Sequence, residues 1–160
     1  MRVLPGLARD PLADGRQSQR ALEIARGSGR LLRAMGFTVL PELTLASGRR
    51  ADLVALGPAA EILIIEIKSS LEDLRADRKW PDYRRHCDRL YFATHAGVPA
   101  KAFPETAGLI LADAFGAEIL REAPEHRLPG ATRRQLLVTI ARAASSRLHA
   151  LVDPEMPPEM

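Results

Sequence analysis

The fold of this chain is decided by the stretch Arg49-Arg-Ala-Asp-Leu-Val-Ala-Leu56, which a Gly57-Pro58 turn connects to Glu61-Ile-Leu-Ile-Ile-Glu-Ile-Lys-Ser-Ser70. Two aliphatic runs of strand length, 53–56 and 62–67, are bounded by glycine and proline. Such runs are typical of paired strands that are mostly buried. The stretch therefore predicts a hairpin at the centre of the fold.

Three charges interrupt the apolar hairpin: Asp52, Glu66 and Lys68. Side chains alternate along a strand, so Glu66 and Lys68 point to the same face. A shared site requires a loop of odd length or a bulge, such as a five-residue loop that pairs Leu56 with Ile62. This register places Asp52 directly opposite Glu66, whereas a slip of one residue would turn it to the other face.

Two carboxylates at the end of a buried strand suit metal-assisted phosphodiester hydrolysis. Mg²⁺ prefers oxygen ligands and is usually held by one or two carboxylates together with a substrate phosphate. Asp52 and Glu66 supply the carboxylates, and the backbone carbonyl of Ile67 is a third candidate ligand. Lys68 can orient the attacking water or stabilise the transition state. The alternative is an ordinary Glu-x-Lys pair of strand charges.

The order helix, Asp-x13-Glu-x-Lys hairpin, helix resembles the PD-(D/E)XK nuclease superfamily, although Ala51 stands where the motif has proline. The chain resembles one branch more closely, the MmcB-like DNA repair family, over residues 16–151. Five runs carry this resemblance: Gly48-Arg-Arg-Ala-Asp-Leu, Glu66-Ile-Lys-Ser-Ser, Lys79-Trp-Pro-Asp-Tyr, Cys87-Asp-Arg-Leu-Tyr-Phe-Ala and Gly116-Ala-Glu-Ile-Leu-Arg-Glu-Ala-Pro-Glu-His-Arg-Leu.

The resemblance implies an α/β fold with a restriction-endonuclease-like core, in which helices flank a central mixed sheet. It implies a Mg²⁺- or Mn²⁺-dependent endonuclease of bacterial DNA repair and SOS damage responses, with Asp52, Glu66 and Lys68 as catalytic residues. Glu23 on the first helix then lies behind the metal ligands or binds a second metal; the alternative is an ordinary solvated helix glutamate. Glu42, near the end of the sheet, is a weaker candidate for the metal. Many nucleases of this fold use two protomers, so the resemblance is compatible with a homodimer. The alternative function is a catalytically silent DNA-binding module of the same fold.

Basic residues flank the proposed site in sequence, although the net charge of the chain is only +3. Arg49 and Arg50 precede Asp52, and Arg78 and Lys79 follow Glu66; we expect these four to contact DNA phosphates. Two aromatic residues beside them could stack on unpaired bases, namely Trp80 and Tyr83. The alternative for the only tryptophan is core packing.

Length and composition indicate one domain over residues 16–151, with a flexible arm at 1–15 and a disordered tail at 152–160. The single Cys87 excludes an internal disulfide and fits a reducing bacterial cytoplasm. No apolar run approaches the roughly 20 residues of a membrane span. No glycine-rich phosphate loop is present, so we expect no small-molecule cofactor.

Local patterns predict the remaining elements. Helices are expected at 16–35 and 132–151, with an edge strand at 37–45 that contains Pro41. Gly27 and Gly29 weaken the first helix, which suggests close packing against the sheet. Ser69 and Glu72 form a capping box for a helix after the hairpin. The other predictions are a short helix from Pro81 to near Cys87 and strands at 90–94, 107–112 and 117–121.

Overall fold

The structure of the protein, a computed structural model, describes residues 18–157. It contains three α-helices, α1 (Gln19–Ala34), α2 (Leu71–Ala76) and α3 (Gly130–Val152), and six strands, β1 (Thr38–Thr44), β2 (Arg50–Leu56), β3 (Ile62–Ile67), β4 (Arg89–Thr94), β5 (Gly108–Ala112) and β6 (Ala117–Arg121). Two 3-10 helices span Trp80–His86 and Ala100–Ala102. None of the helices in this part of the chain is both long and apolar enough to cross a membrane.

The six strands form one mixed sheet in the order β1-β2-β3-β4-β5-β6. The pairs β3–β4 and β4–β5 are parallel, and the other neighbours are antiparallel. The carboxyl ends of β3, β4 and β5 therefore meet at one edge of the sheet. The α/β architecture with a central mixed sheet flanked by helices confirms the predicted fold class.

Helices cover both faces of the sheet because its central strands are apolar on both sides. All six residues of β3 are buried. On one face, Ile24 and Leu32 of α1 pack against Leu53 and Ile65. On the other face, α3 and the first 3-10 helix pack against β3 and β4. β3 is thus the central strand that the sequence predicted.

The β2–β3 hairpin has the register that a shared site requires. Leu56 pairs with Ile62 across a five-residue loop, and pairing continues to Leu53 opposite Ile65. One further step along this register places Asp52 opposite Glu66. Asp52 and Glu66 therefore lie on the same face of the sheet, as a shared site requires.

A few local predictions need correction. Ser70, not Ser69, caps α2, because its side chain accepts a hydrogen bond from the N–H of Asp73. Only one of the two α1 glycines is packed: a Cβ at Gly27 would lie 2.1 Å from the carbonyl oxygen of Asp113, whereas Gly29 has open space. Pro41 does lie on an edge strand, β1.

The described residues begin at 18, after the predicted start of the domain at 16. The predicted arm at 1–15 lies outside the described residues, as do the last three residues of the predicted tail. α3 ends at Val152, so the helix includes the first residue that we assigned to the tail.

Candidate active site

A cleft of about 440 Å³ opens where β2 begins and β3 ends, and we call it the acidic cleft. β2 and β3 supply its floor, and the start of α1, α2 with the residue after it, and the first 3-10 helix supply its walls. Its lining consists of Ser18, Ala21, Arg50, Asp52, Glu66, Ile67, Lys68, Ser69, Asp73, Asp77 and Tyr83. All three residues predicted to be catalytic therefore line one cavity, as does Ile67.

At the cleft, β2 and β3 are joined by two hydrogen bonds from backbone N–H groups to side-chain carboxylates, in place of backbone–backbone pairing. The N–H of Asp52 donates to Glu66 Oε1 (3.2 Å), and the N–H of Ile67 donates to Asp52 Oδ2 (2.8 Å). Within residues 18–157, the second oxygen of each carboxylate accepts no hydrogen bond. Each carboxylate is thus fixed by the opposite strand.

The two carboxylates are held in an environment that penalises their charge. Burial, and then the charge of Asp52, raise the pKa of Glu66 well above its usual value. Burial also raises the pKa of Asp52, against the hydrogen bond from Ile67 and the charge of Lys68. A bound cation would relieve both effects, since it favours the ionised form of each carboxyl group.

The Lys68 ammonium is held by carboxylates from the segment after β3. It lies 2.7 Å from Asp77 Oδ2 and 4.0 Å from Asp73 Oδ1, and only 7% of the residue is exposed. Burial opposes its charge, but the hydrogen bond to Asp77 and the acidic neighbours outweigh burial and raise the pKa of Lys68. Lys68 therefore carries its positive charge at neutral pH.

Lys68 is also surrounded by residues that were not assigned to the site from the sequence. Asp77 Oδ1 accepts the N–H groups of Lys79 and Trp80, so Asp77 links Lys68 to the first 3-10 helix. Thr94 donates to the carbonyl of Lys68 (2.7 Å) from the neighbouring strand. The four-residue spacing of Asp73 and Asp77 could have indicated a shared helix face. Nothing local pointed to Thr94, because it is 26 residues away.

Neither of the further acidic candidates lines the acidic cleft. Glu23 follows Ala21 by two residues, and this spacing turns it roughly 200° around α1 from the cleft. Its assignment as a metal residue therefore gains no support. Glu42 lies across from Asp52 on β1 with φ +51°, and its carboxylate is 3.8 Å from Arg50. Within residues 18–157, no group of three His, Cys, Asp or Glu side chains could hold a metal ion.

The predicted DNA-contacting residues fall into different environments. Arg50 lines the acidic cleft, and Arg78 and Lys79 are exposed. Arg49 is paired with Asp82 at 2.6 Å.

The two predicted stacking residues belong largely to the core. Trp80 is half-buried and packs edge-on against Phe92 with ring centroids 5.4 Å apart, as the packing alternative expects. Tyr83 is buried and donates its hydroxyl to the carbonyl of Arg50 (2.9 Å). Its ring is therefore not available for base stacking, and its role is to position β2 beside the cleft.

A second buried ion pair lies away from the site. Asp88 accepts two hydrogen bonds of 2.7 Å from Arg133 and one each from the N–H groups of Ile62 and Leu128. Burial opposes the charge of Asp88, but these donors outweigh it and lower its pKa to about 2. The pair joins β3, β4 and α3, so its role is structural.

Comparison with known proteins identifies the family of this chain. The chain resembles a solved structure, the SPO1766 protein of unknown function from Silicibacter pomeroyi, at 44% sequence identity and a TM-score of 0.84. The match covers 89% of this chain and 97% of that one. Among curated proteins, none matches this chain. A family model for DNA repair protein MmcB-like matches residues 8–155, and the chain therefore belongs to the MmcB-like DNA repair protein family.

Proposed function

We propose that the protein is a Mg²⁺- or Mn²⁺-dependent endodeoxyribonuclease of DNA repair, with the catalytic arrangement of the PD-(D/E)XK superfamily. One observation carries this proposal: the carboxylates of Asp52 and Glu66, 14 positions apart in the sequence, line one cleft beside the Lys68 ammonium. Family membership supports the repair role, and the acidic cleft supports the chemistry.

The donor set of the acidic cleft fits a hard divalent cation. Asp52, Glu66 and the backbone carbonyl of Ile67 would hold the ion, which accepts oxygen ligands and usually keeps several waters. When bound, such an ion supplies stabilisation of charge on the phosphate and activation of the attacking water. The crowded, buried carboxylates support this assignment, because burial raises the pKa of each of them despite the nearby charge of Lys68.

The residues of the chain itself would orient the substrate and balance its charge. Lys68 is charged and fixed by Asp77, so its ammonium can stabilise negative charge that develops on the phosphate. Arg50 at the cleft can bind a neighbouring phosphate, and exposed Arg78 and Lys79 extend the basic surface. Tyr83 holds the backbone of Arg50 and thereby the position of β2.

A cleavage assay with purified protein tests the proposal. Labelled single-stranded, nicked, flapped, branched and fully paired DNAs are incubated with Mg²⁺, Mn²⁺ or EDTA. We expect metal-dependent cleavage of at least one substrate, with loss of that activity in Asp52→Ala and not in the control Glu105→Ala, an exposed acid outside the cleft. Cleavage that persists in Asp52→Ala would place the activity elsewhere or in a contaminant.

The second candidate is a DNA-binding module without turnover. It is favoured by the engagement of Lys68 with Asp77 and by the lack of a third acidic metal ligand within residues 18–157. In that case the protein would bind DNA in the same assay and cleave none of the substrates with either metal.

A further inference from the structure

A phenylalanine stands out from the surface at the turn between β5 and β6. Phe115 is 80% exposed, the highest value for any large hydrophobic residue in the described part of the chain. Two other phenylalanines, Phe92 and Phe103, are buried, and Phe37 packs against the core. An aromatic ring with this degree of exposure forgoes most of the free energy that burial would supply.

The turn that carries Phe115 is rigidly held. Asp113 Oδ1 accepts the N–H groups of Phe115 (2.8 Å) and Gly116 (3.0 Å), and Arg30 of α1 donates to the carbonyl of Phe115 (3.1 Å). Gly27 allows α1 to approach so closely that a Cβ there would lie 2.4 Å from the carbonyl oxygen of Gly116. The backbone on both sides of the ring is therefore fixed while the ring itself faces solvent.

Phe115 stands at the same sheet edge as the acidic cleft. A second cleft of about 520 Å³ lies at the ends of β4 and β5, lined by Arg20, His95 and Gly116 among others. His95 links the two clefts, because its Nε2 is 2.8 Å from the carbonyl oxygen of Ser69, which lines the acidic cleft. β3 and β5 are two strand spacings apart, roughly 10 Å, and Phe115 lies on the turn that follows β5, so a stretch of a few nucleotides could extend from the acidic cleft towards the ring.

We propose that Phe115 is a base-stacking residue that selects DNA with an unpaired base next to the acidic cleft. This inference rests on the proposed function for the identity of the partner as DNA. A ring can stack on any exposed base, whereas in a paired duplex both faces of each base are covered by its neighbours. Arg30 adds a positive charge at this turn, since its guanidinium donates to the backbone carbonyl of Phe115.

A protein-docking role fits this feature less well. Specific protein interfaces bury about 800 Å² on each partner around an apolar centre. Phe115 instead sits on a turn between Asp113 and Glu118, and the charge of Glu118 separates it in sequence from the next exposed apolar residue, Leu120. A single ring of this kind suits one flat partner group, which a nucleobase provides.

Binding measurements in the Asp52→Ala background test the inference without any need for cleavage. The probes are a single-stranded oligonucleotide, a duplex with one unpaired 2-aminopurine and a fully paired duplex of the same sequence, all in EDTA. Phe115→Ala should weaken binding of the first two probes by about 5- to 100-fold, the range expected for loss of one stacked base. Binding of the paired duplex should change by no more than about twofold, because it offers no free base.

Three controls keep this result specific. Leu120→Ala removes a neighbouring exposed apolar side chain and should leave all three affinities unchanged. Phe115→Trp should restore binding and should quench 2-aminopurine fluorescence as the parent protein does, a signature that a purely structural role would not give. The melting temperature of Phe115→Ala should match that of the parent, since the ring is exposed.

The outcomes separate the inference from the nuclease proposal. If the parent binds DNA and Phe115→Ala weakens all probes equally or none, the stacking role is refuted while the proposed function stands. If Phe115-dependent binding is found but the wild-type protein cleaves nothing, the nuclease proposal fails and the stacking role stands. If no probe binds, or if Phe115→Ala instead changes the oligomeric state in sedimentation, the stacking role is refuted.

Discussion

Replacing Asp52 by asparagine should stabilise the metal-free protein, although it removes a residue of the proposed active site. The asparagine amide oxygen can still accept the hydrogen bond from the N–H of Ile67, so the contact between the strands is kept. What is lost is a buried negative charge opposite that of Glu66. Active sites commonly carry such a cost in stability.

The size of the effect follows from the hairpin register. Residues directly opposite on antiparallel strands have Cβ atoms roughly 5 Å apart, and two unit charges at that separation repel by about 3 kcal/mol at an effective dielectric constant of about 20. Because both carboxyl groups can reduce this repulsion by partial protonation, we expect a gain of about 1 to 3 kcal/mol. For a chain of 160 residues this corresponds to a rise of roughly 2 to 10 °C in melting temperature.

Thermal and urea unfolding in EDTA measure this difference, with Glu105→Gln as the control for loss of an exposed carboxylate. The pKa values of Asp52 and Glu66 are raised in the folded state, so ionisation of these groups destabilises the fold as the pH rises above about 4. The advantage of Asp52→Asn should therefore be small near pH 4 and largest at neutral pH.

Added Mn²⁺ should make the wild-type protein more stable than Asp52→Asn. A ligand at 100 times its dissociation constant stabilises a folded protein by about 2.7 kcal/mol, and Asp52→Asn should lose most of this gain. A variant that is less stable than wild type at neutral pH in EDTA, or that Mn²⁺ stabilises as much as wild type, would refute the assignment of Asp52 and Glu66 as a charged metal site.

Three further predictions concern Lys68, the basic surface and the second ion pair. Lys68→Met should lower the cleavage rate by roughly 100- to 1000-fold with little change in DNA affinity; a lower melting temperature with normal cleavage would instead make the Lys68 charge purely structural. Changing Arg78 and Lys79 together to alanine should weaken DNA binding and flatten its salt dependence, since fewer counterions are released; an unchanged slope of affinity against salt would place the DNA elsewhere. The depressed pKa of Asp88, about 2 against an ordinary 3.8, stabilises the fold above about pH 4, so acid titration should remove about 2 kcal/mol as the pH falls to about 2, and Arg133→Met should reduce this acid-dependent loss.

The sequence by itself determined the central hairpin and the register that a shared site would require. Strand periodicity, the Gly57-Pro58 turn and the five-residue loop are local features, and side chains alternate faces with a fixed period of two. These features place Asp52, Glu66 and Lys68 relative to one another without knowledge of the rest of the chain. The edge position of β1 followed in the same way from Pro41, which lacks a hydrogen-bond donor.

Only the tertiary structure decided what surrounds those three residues. The ammonium of Lys68 is paired with Asp77, and its backbone is held by Thr94 from a parallel strand. The surroundings of two aromatic residues were decided in the same way: Trp80, close to the site in sequence, packs against Phe92, whereas Phe115 is exposed at the same edge of the sheet. Sequence periodicity reports which face a side chain occupies, but partners and exposure depend on which distant elements pack against that face, and this is a property of the assembled layers alone.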